Sequence, residues 1–276
     1  MLRSSNPVLS RQDAFSPSQQ QAGYQQFPGY PGQPQYGGPQ DPRSPQQTGR
    51  RPEGVMTFDD VITKTAITLG LVVLVAAAAF FLLPVEILMP VSVVASLATI
   101  GVVILVAVRR TIPVGLVLVF AVLEGLMVGG ISKIFEIYYP GIVAQAVFAT
   151  FVAAGLTLAA YKFFNIRVTP KFKKVVAIAT VAFVVVLLLN FVLSLFGVNM
   201  GMRAGMEGPV GLLPILVSAV AVVLAVLNLV LDFDYIEAGV AMGAPASQSW
   251  KAAFGLTVTL VWLYVEMLRI ISYFRR

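Results

Sequence analysis

The chain has 276 residues, of which 58% are hydrophobic and 12% are charged, and its net charge is +6. This charged share is about half that of an average globular protein, which indicates a membrane protein. The chain contains neither cysteine nor histidine, which excludes disulfides, thiolate metal sites and the usual bases of hydrolytic enzymes. We therefore expect no enzyme activity and no cofactor. Since the basic residues lie mainly in the tail and between hydrophobic runs, we expect no nucleic-acid partner either.

Residues 1–56 differ in composition from the rest of the chain. The segment "QQFPGYPGQPQYGGPQ" is rich in Pro, Gly, Gln and Tyr and has no apolar periodicity. Such a composition cannot bury enough surface to offset the entropy of ordering, which predicts a disordered tail. We expect this tail to act as a solvated tether, with binding of a protein partner as the alternative. The first 30 residues have no apolar stretch typical of a signal peptide.

Residues 57–276 carry a series of apolar runs, each close to the roughly 20 residues that a helix needs to cross a bilayer. Pro- and Gly-containing segments separate them. Only a helical bundle satisfies the backbone of such runs within the membrane. The sequence therefore predicts an all-α, polytopic membrane domain of seven transmembrane helices, at about 64–83, 87–108, 112–135, 142–164, 174–196, 210–232 and 251–273.

The basic residues near the span ends predict the orientation in the membrane. Cytoplasmic segments are enriched in Lys and Arg, and the strongest basic cluster lies between the fourth and fifth spans, where it can contact anionic lipid. We therefore expect a plasma-membrane protein with a cytoplasmic N-terminus and an external C-terminus. The residues on the predicted cytoplasmic side are Arg50, Arg51, Lys64, Arg109, Arg110, Lys162, Arg167, Lys171, Lys173, Lys174 and Lys251, against Lys133, Arg203, Arg275 and Arg276 outside.

Two glutamates lie deep within predicted spans. At a rise of about 1.5 Å per residue, Glu124 lies roughly 18 Å and Glu266 roughly 22 Å from the cytoplasmic edge. An intramembrane acid costs roughly 2.5 to 3.5 kcal/mol, so it normally faces the bundle interior, has a partner or takes up a proton. Both are candidates for an ion or proton pathway. The structural alternative for Glu266 is an ion pair with Arg269, which is three residues further along the same helix face.

Asp232 lies at the end of the sixth predicted span, close to the cytoplasmic surface and at the level of Arg109. A carboxylate in such a position is often only solvated. Gly125 and Gly129 form a GxxxG pattern, which predicts close helix packing. The polar residues Asn190, Asn228, Thr257 and Thr259 are interpreted as interhelical hydrogen-bonding groups.

Five motifs, in order and spacing, resemble the Bax inhibitor-1 (TMBIM) family of seven-helix membrane proteins, and within it the actinobacterial branch. They are "RRTIPVG", "EGLMVGGIS", "RVTPKFKK", "LDFDYIEAG" and "LYVEMLRIISYF". The resemblance covers about residues 56–276.

This resemblance implies a calcium leak gated by an acidic pair on the sixth and seventh helices. Asp232 and Glu266 match the positions of the pair, which would also bind calcium transiently, and Arg109 matches an arginine that latches the sixth-helix acid in the closed form. Two carboxyls held together in a low dielectric share a proton, and loss of that proton drives them apart. Calcium competes with protons for such oxygens, so protons and calcium are the expected partners, together with membrane lipids.

The chain departs from the family pattern in two respects. Glutamate stands in place of aspartate at 266, and the two acids lie 34 residues apart, a longer separation than is usual for the family. Depth alone favours a pair of Glu124 with Glu266 instead. Two other functions stay open: a proton-coupled solute transporter, which would also use intramembrane acids, and a membrane interaction protein in stress responses.

Overall fold

The computed structural model describes residues 54–109, 112–198, 200–206 and 208–275. The predicted disordered tail lies outside these residues, except for its last three. Within them the chain forms helices that are all long and apolar enough to cross a membrane, which confirms the prediction of an all-α, seven-helix membrane domain. The helices are α1 (Phe58–Leu82), α2 (Val85–Val108), α3 (Val114–Tyr138), α4 (Ile142–Phe163), α5 (Pro170–Leu195), α6 (Leu212–Ala241) and α7 (Gln248–Tyr273).

Local sequence signals set several helix boundaries. The Thr57 hydroxyl accepts from the Asp60 N–H at the start of α1, and the Thr169 hydroxyl accepts from the Phe172 N–H at the start of α5. Each satisfies an N–H that the first turn of a helix leaves unpaired. Before α4, Gly141 adopts φ +81°, a left-handed conformation that glycine takes without strain.

The helices α1 and α6 extend furthest beyond their predicted spans, and each extension contains one acid of an ion pair. The helix α1 begins at Phe58 rather than near residue 64, and Lys64 in its second turn forms a 2.7 Å ion pair with Asp60. The helix α6 does not end at residue 232 but continues to Ala241. In those last turns Asp234 pairs with Lys173 at 2.5 Å. Asp232 therefore lies within α6, about 13 Å from its end.

The helices α1, α3 and α7 form the centre of the bundle. Gly125 and Gly129 of α3 pack directly on α1: a Cβ at 125 would lie 2.8 Å from the Val72 carbonyl oxygen, and one at 129 would lie 2.7 Å from that of Ala76. The GxxxG pattern thus acts in helix packing, as predicted. The helix α5 is peripheral and packs mainly against α6, where the Asn228 amide donates to a threonine hydroxyl of α5 at 2.7 Å.

We call the end of the bundle where α1 begins the lower end, and the end where α7 terminates the upper end. At the lower end, residues 54–56 pair with the turn between α6 and α7. The Met56 N–H donates to the Ala244 carbonyl, and the Ala246 N–H donates to the Gly54 carbonyl, both at 2.7 Å. The Met56 side chain is 1% exposed. The chain is thus fixed to the bundle before α1 begins.

Candidate functional site

Asp232 lies where α6 crosses α7. Its Oδ2 accepts a hydrogen bond from the Thr259 hydroxyl at 2.7 Å. Its Oδ1 lies against Gly255, where an added Cβ would be only 3.2 Å away. Glycine at 255 therefore makes room for the carboxylate between the two helices. Within the described residues no ion pair forms with Asp232.

Glu124 of α3 lies at the same height as Asp232. Phe120 packs against Phe254 of α7 with ring centroids 4.6 Å apart, and Ser132 bonds the Tyr264 hydroxyl at 2.7 Å, so α3 and α7 run in the same direction. Glu124 is one turn beyond Phe120 on α3. It therefore lies level with the part of α7 just after Phe254, where Gly255 and Thr259 contact Asp232. Glu124 is 7% exposed, and in the part of the chain that is described its carboxylate forms no hydrogen bond or ion pair.

Glu266 of α7 is held by two arginines. Arg203, from the loop between α5 and α6, donates to both carboxylate oxygens at 3.0 and 2.9 Å, and Arg269 donates to one of them at 2.9 Å. The same Arg203 guanidinium donates to the Ser218 hydroxyl of α6 at 3.1 Å. Glu266 is 2% exposed. Such two-point guanidinium–carboxylate pairs are geometrically specific and strong. Through its bonds to Glu266 and Ser218, Arg203 joins the loop to both α7 and α6.

The loop between α5 and α6 covers the upper end of the bundle. The Tyr139 hydroxyl, at the end of α3, donates to the Met206 carbonyl at 2.6 Å. The Met206 side chain packs on the core cluster that contains Tyr264 and Leu268. The loop thus folds back over the bundle, and Arg203 extends from it into the interior.

The structure does not bring Asp232 and Glu266 together. Thr259, which contacts Asp232, and Glu266 are seven residues apart on one face of α7, which is about 10 Å along the helix. Because α6 and α7 are antiparallel, the α6 residue nearest Glu266 in this network is Ser218, far from Asp232 in sequence. The alternative pair of Glu124 with Glu266 is separated in the same way. Glu124 and Asp232, in contrast, lie at the same height between the lower and upper ends of the bundle.

Arg109 does not contact Asp232 in this structure. It caps the lower end of α2 and is exposed, and it forms no ion pair within the described residues. The predicted acid Glu266 is instead bound by Arg269 and by Arg203, which was predicted only to help set the orientation. The signal that was available is a single arginine in the glycine-rich loop "GVNMGMRAGMEGPVG". The Glu266–Arg269 pair, considered as the structural alternative, is present.

The described residues contain no group of three or more Asp, Glu, His or Cys side chains that could hold a metal ion. Calcium takes roughly six to eight oxygen ligands. Two carboxylates without a basic partner among the described residues, the buried Glu124 and the partly buried Asp232, thus lie nearer the lower end than the arginine-bound Glu266.

A family model described as Bax inhibitor 1 like matches residues 6–276, nearly the whole chain. A search of curated proteins finds no match. Together with the seven helices of the described residues that can span a membrane, the match supports a multi-pass membrane protein. The chain belongs to the Bax inhibitor-1 family.

Proposed function

We propose that the protein is a pH-sensitive calcium-leak channel rather than an enzyme, acting in the plasma membrane with its N-terminus in the cytoplasm. The observation that supports this most is the contrast between three acids inside the helices, of which Glu124 and Glu266 are buried and Asp232 is partly buried. Glu266 is neutralised by two arginines, whereas Asp232 and Glu124 lie at one level without a cationic partner among the described residues.

In this proposal Asp232 and Glu124 are the cation-binding level of the pathway. A buried carboxylate without a basic partner is costly unless a proton or a metal ion neutralises it. Calcium and protons compete for such oxygens. At low pH, protons therefore displace calcium from these two carboxylates and reduce the leak. Raising the pH restores it.

The ion pair between Arg203 and Glu266 is the proposed latch of the closed form, in the role that the family resemblance gave to Arg109. It fastens the α5–α6 loop across the upper end, and the Tyr139–Met206 contact holds the same loop from α3. Opening requires the Arg203 guanidinium to leave Glu266. Arg269 stays within α7 and keeps the carboxylate compensated.

The first test is calcium flux into proteoliposomes that contain a calcium-sensitive dye. We expect a flux above that of protein-free liposomes, larger at about pH 8 than at about pH 6. Thermal unfolding in detergent verifies that the reconstituted protein is folded. A folded protein without flux at either pH would rule out the leak.

Glu124 also favours a second candidate, a proton-coupled solute transporter, because an acid buried without a partner suits proton transfer. The two functions differ in their energetics. A leak moves calcium only down its gradient, whereas a coupled transporter concentrates a solute against its gradient after a pH step. Uptake driven by an imposed pH step, with calcium absent, would favour the transporter.

A further inference from the structure

A cleft of about 250 Å³ opens in the side of the bundle, and no acid lies among its lining residues. The helices α1 and α4 form its walls, and α3 and α7 form its floor. Its rim includes Phe81 and Phe151, which are 78% and 63% exposed, whereas Val128 and Val261 on its floor are only 7% and 4% exposed. We call this feature the lateral cleft.

The polar groups of the lateral cleft are already paired. The Ser132 and Tyr264 hydroxyls bond each other at 2.7 Å, and the Thr150 hydroxyl donates to the Ala146 carbonyl within α4, also at 2.7 Å. At roughly 30 Å³ per molecule, the volume of the lateral cleft equals that of about eight waters. A buried water, however, needs two or more polar partners, so apolar cavities stay dry. The chemistry of the lining therefore selects a hydrocarbon.

The position of the lateral cleft defines which hydrocarbon can reach it. The lining residues belong to membrane-spanning helices, so the opening between α1 and α4 faces the bilayer interior, where lipid chains are the solvent. On α1 the lining runs from Leu69 to Phe81, about 18 Å along the helix. This elongated shape fits an extended chain. It reaches the upper end of α1, which places the head group of such a lipid at the upper surface.

We propose that the lateral cleft is a binding site for one acyl chain of a phospholipid from the upper leaflet. The bound chain contacts Val128 and Val261, whereas lipids that merely surround the protein contact only the outer faces of the helices. The inference does not depend on ion conduction, and its test needs no flux.

The test uses the full-length protein in nanodiscs that contain a phospholipid with a photoreactive diazirine in its acyl chain. After illumination, mass spectrometry identifies the labelled peptides. We expect label on the floor, at the α3 and α7 segments around Val128 and Val261, as well as on exposed faces. Ala77→Phe narrows the lateral cleft from α1. Ala78→Phe is the matched control, because Ala78 is an exposed neighbour that does not line the cleft.

The floor label should fall several-fold in Ala77→Phe and persist in Ala78→Phe. Val147→Trp narrows the cleft from the opposite wall, so the test does not depend on the folding of one variant. Thermal unfolding shows which variants are folded. Label that is confined to exposed faces in the unaltered protein, or floor label that both folded cleft variants retain, would overturn the proposal.

Discussion

Arg203 and Glu266 form an ion pair through two hydrogen bonds, of 3.0 and 2.9 Å, that joins the α5–α6 loop to the interior of α7. The Glu266 side chain is 2% exposed and that of Arg203 is 20% exposed. The loop around Arg203 is rich in glycine, which has little conformational preference of its own. The position of this loop therefore depends strongly on contacts such as this ion pair.

Removing the charge at position 203 should increase calcium flux. Arg203→Gln keeps a polar side chain but loses the two-point contact with Glu266, so we expect a higher flux into proteoliposomes. Arg275→Gln is the control, because Arg275 lies at the same end and donates to the Pro140 carbonyl instead. Equal fluxes in Arg203→Gln and in the control would exclude Arg203 as the latch.

Glu266→Gln should lower stability, because two neighbouring arginines then lose their carboxylate. Breaking a buried ion pair by removing one partner costs about 3–5 kcal/mol. We expect thermal unfolding in detergent to show this loss, and Arg203→Gln combined with Glu266→Gln to lose less than the sum of the single changes. Strict additivity of the two losses would mean that the contact contributes no coupling energy.

Asp232→Asn and Glu124→Gln should each reduce calcium flux and flatten its pH dependence. Calcium binds the ionised carboxylate, and the ionised fraction rises with pH, so flux in the unaltered protein should increase from about pH 6 to about pH 8. The amides cannot ionise. The matched control is Asp234→Asn, which removes an acid two residues away that pairs with Lys173. A pH response that survives in both Asp232→Asn and Glu124→Gln would contradict their role in the pathway.

Gly129→Ala should destabilise the bundle, whereas Gly155→Ala should not. An added Cβ at 129 would lie 2.7 Å from the Ala76 carbonyl oxygen and 2.9 Å from the Ala79 Cβ, so α3 must move away from α1. Such overpacking costs about 1–3 kcal/mol. At Gly155, also within a helix, an added Cβ meets nothing within 4 Å, and alanine favours the helix. The midpoint of thermal unfolding measures the stability of each variant. A midpoint for Gly129→Ala as high as that for Gly155→Ala would be evidence against close packing of α3 on α1.

Met56→Ala should cost about 2–5 kcal/mol, the range for truncating a buried methionine. The Met56 side chain is 1% exposed and packs with Val61 and Leu229. Val55→Ala, one residue earlier, is the control, because Val55 is 57% exposed. If both changes lower the unfolding midpoint equally, residues 54–56 are not anchored as the structure describes.

The sequence predicted the helices well because their signals are local. Long apolar runs and the Pro- and Gly-containing segments between them are each contained within a short stretch of chain. The helix ends were less predictable where charges are paired across the bundle. The extension of α6 beyond Asp232 is stabilised by Lys173 of α5, a contact that only the folded arrangement provides.

The relative heights of the acids could not be predicted from one chain. Each depth estimate assumed where a span begins, and an error of a few residues moves a side chain by several Å. The partner of Glu266 was harder still, because Arg203 is 63 residues away and lies in a loop without a regular pattern. The pair with Arg269 was predictable since three residues on a helix fix the distance.

The arginines around Glu266 outnumber its carboxylate by two to one, so this cluster of three side chains carries a net positive charge inside the bundle. Any opening that withdraws Arg203 toward the upper surface moves a charge along the membrane normal. A full elementary charge that crosses the whole membrane contributes about 2.3 kcal/mol per 100 mV, and a partial displacement contributes a fraction of that. A channel with this latch would respond to membrane voltage, and the sign of the response would report which side of the membrane the upper end faces.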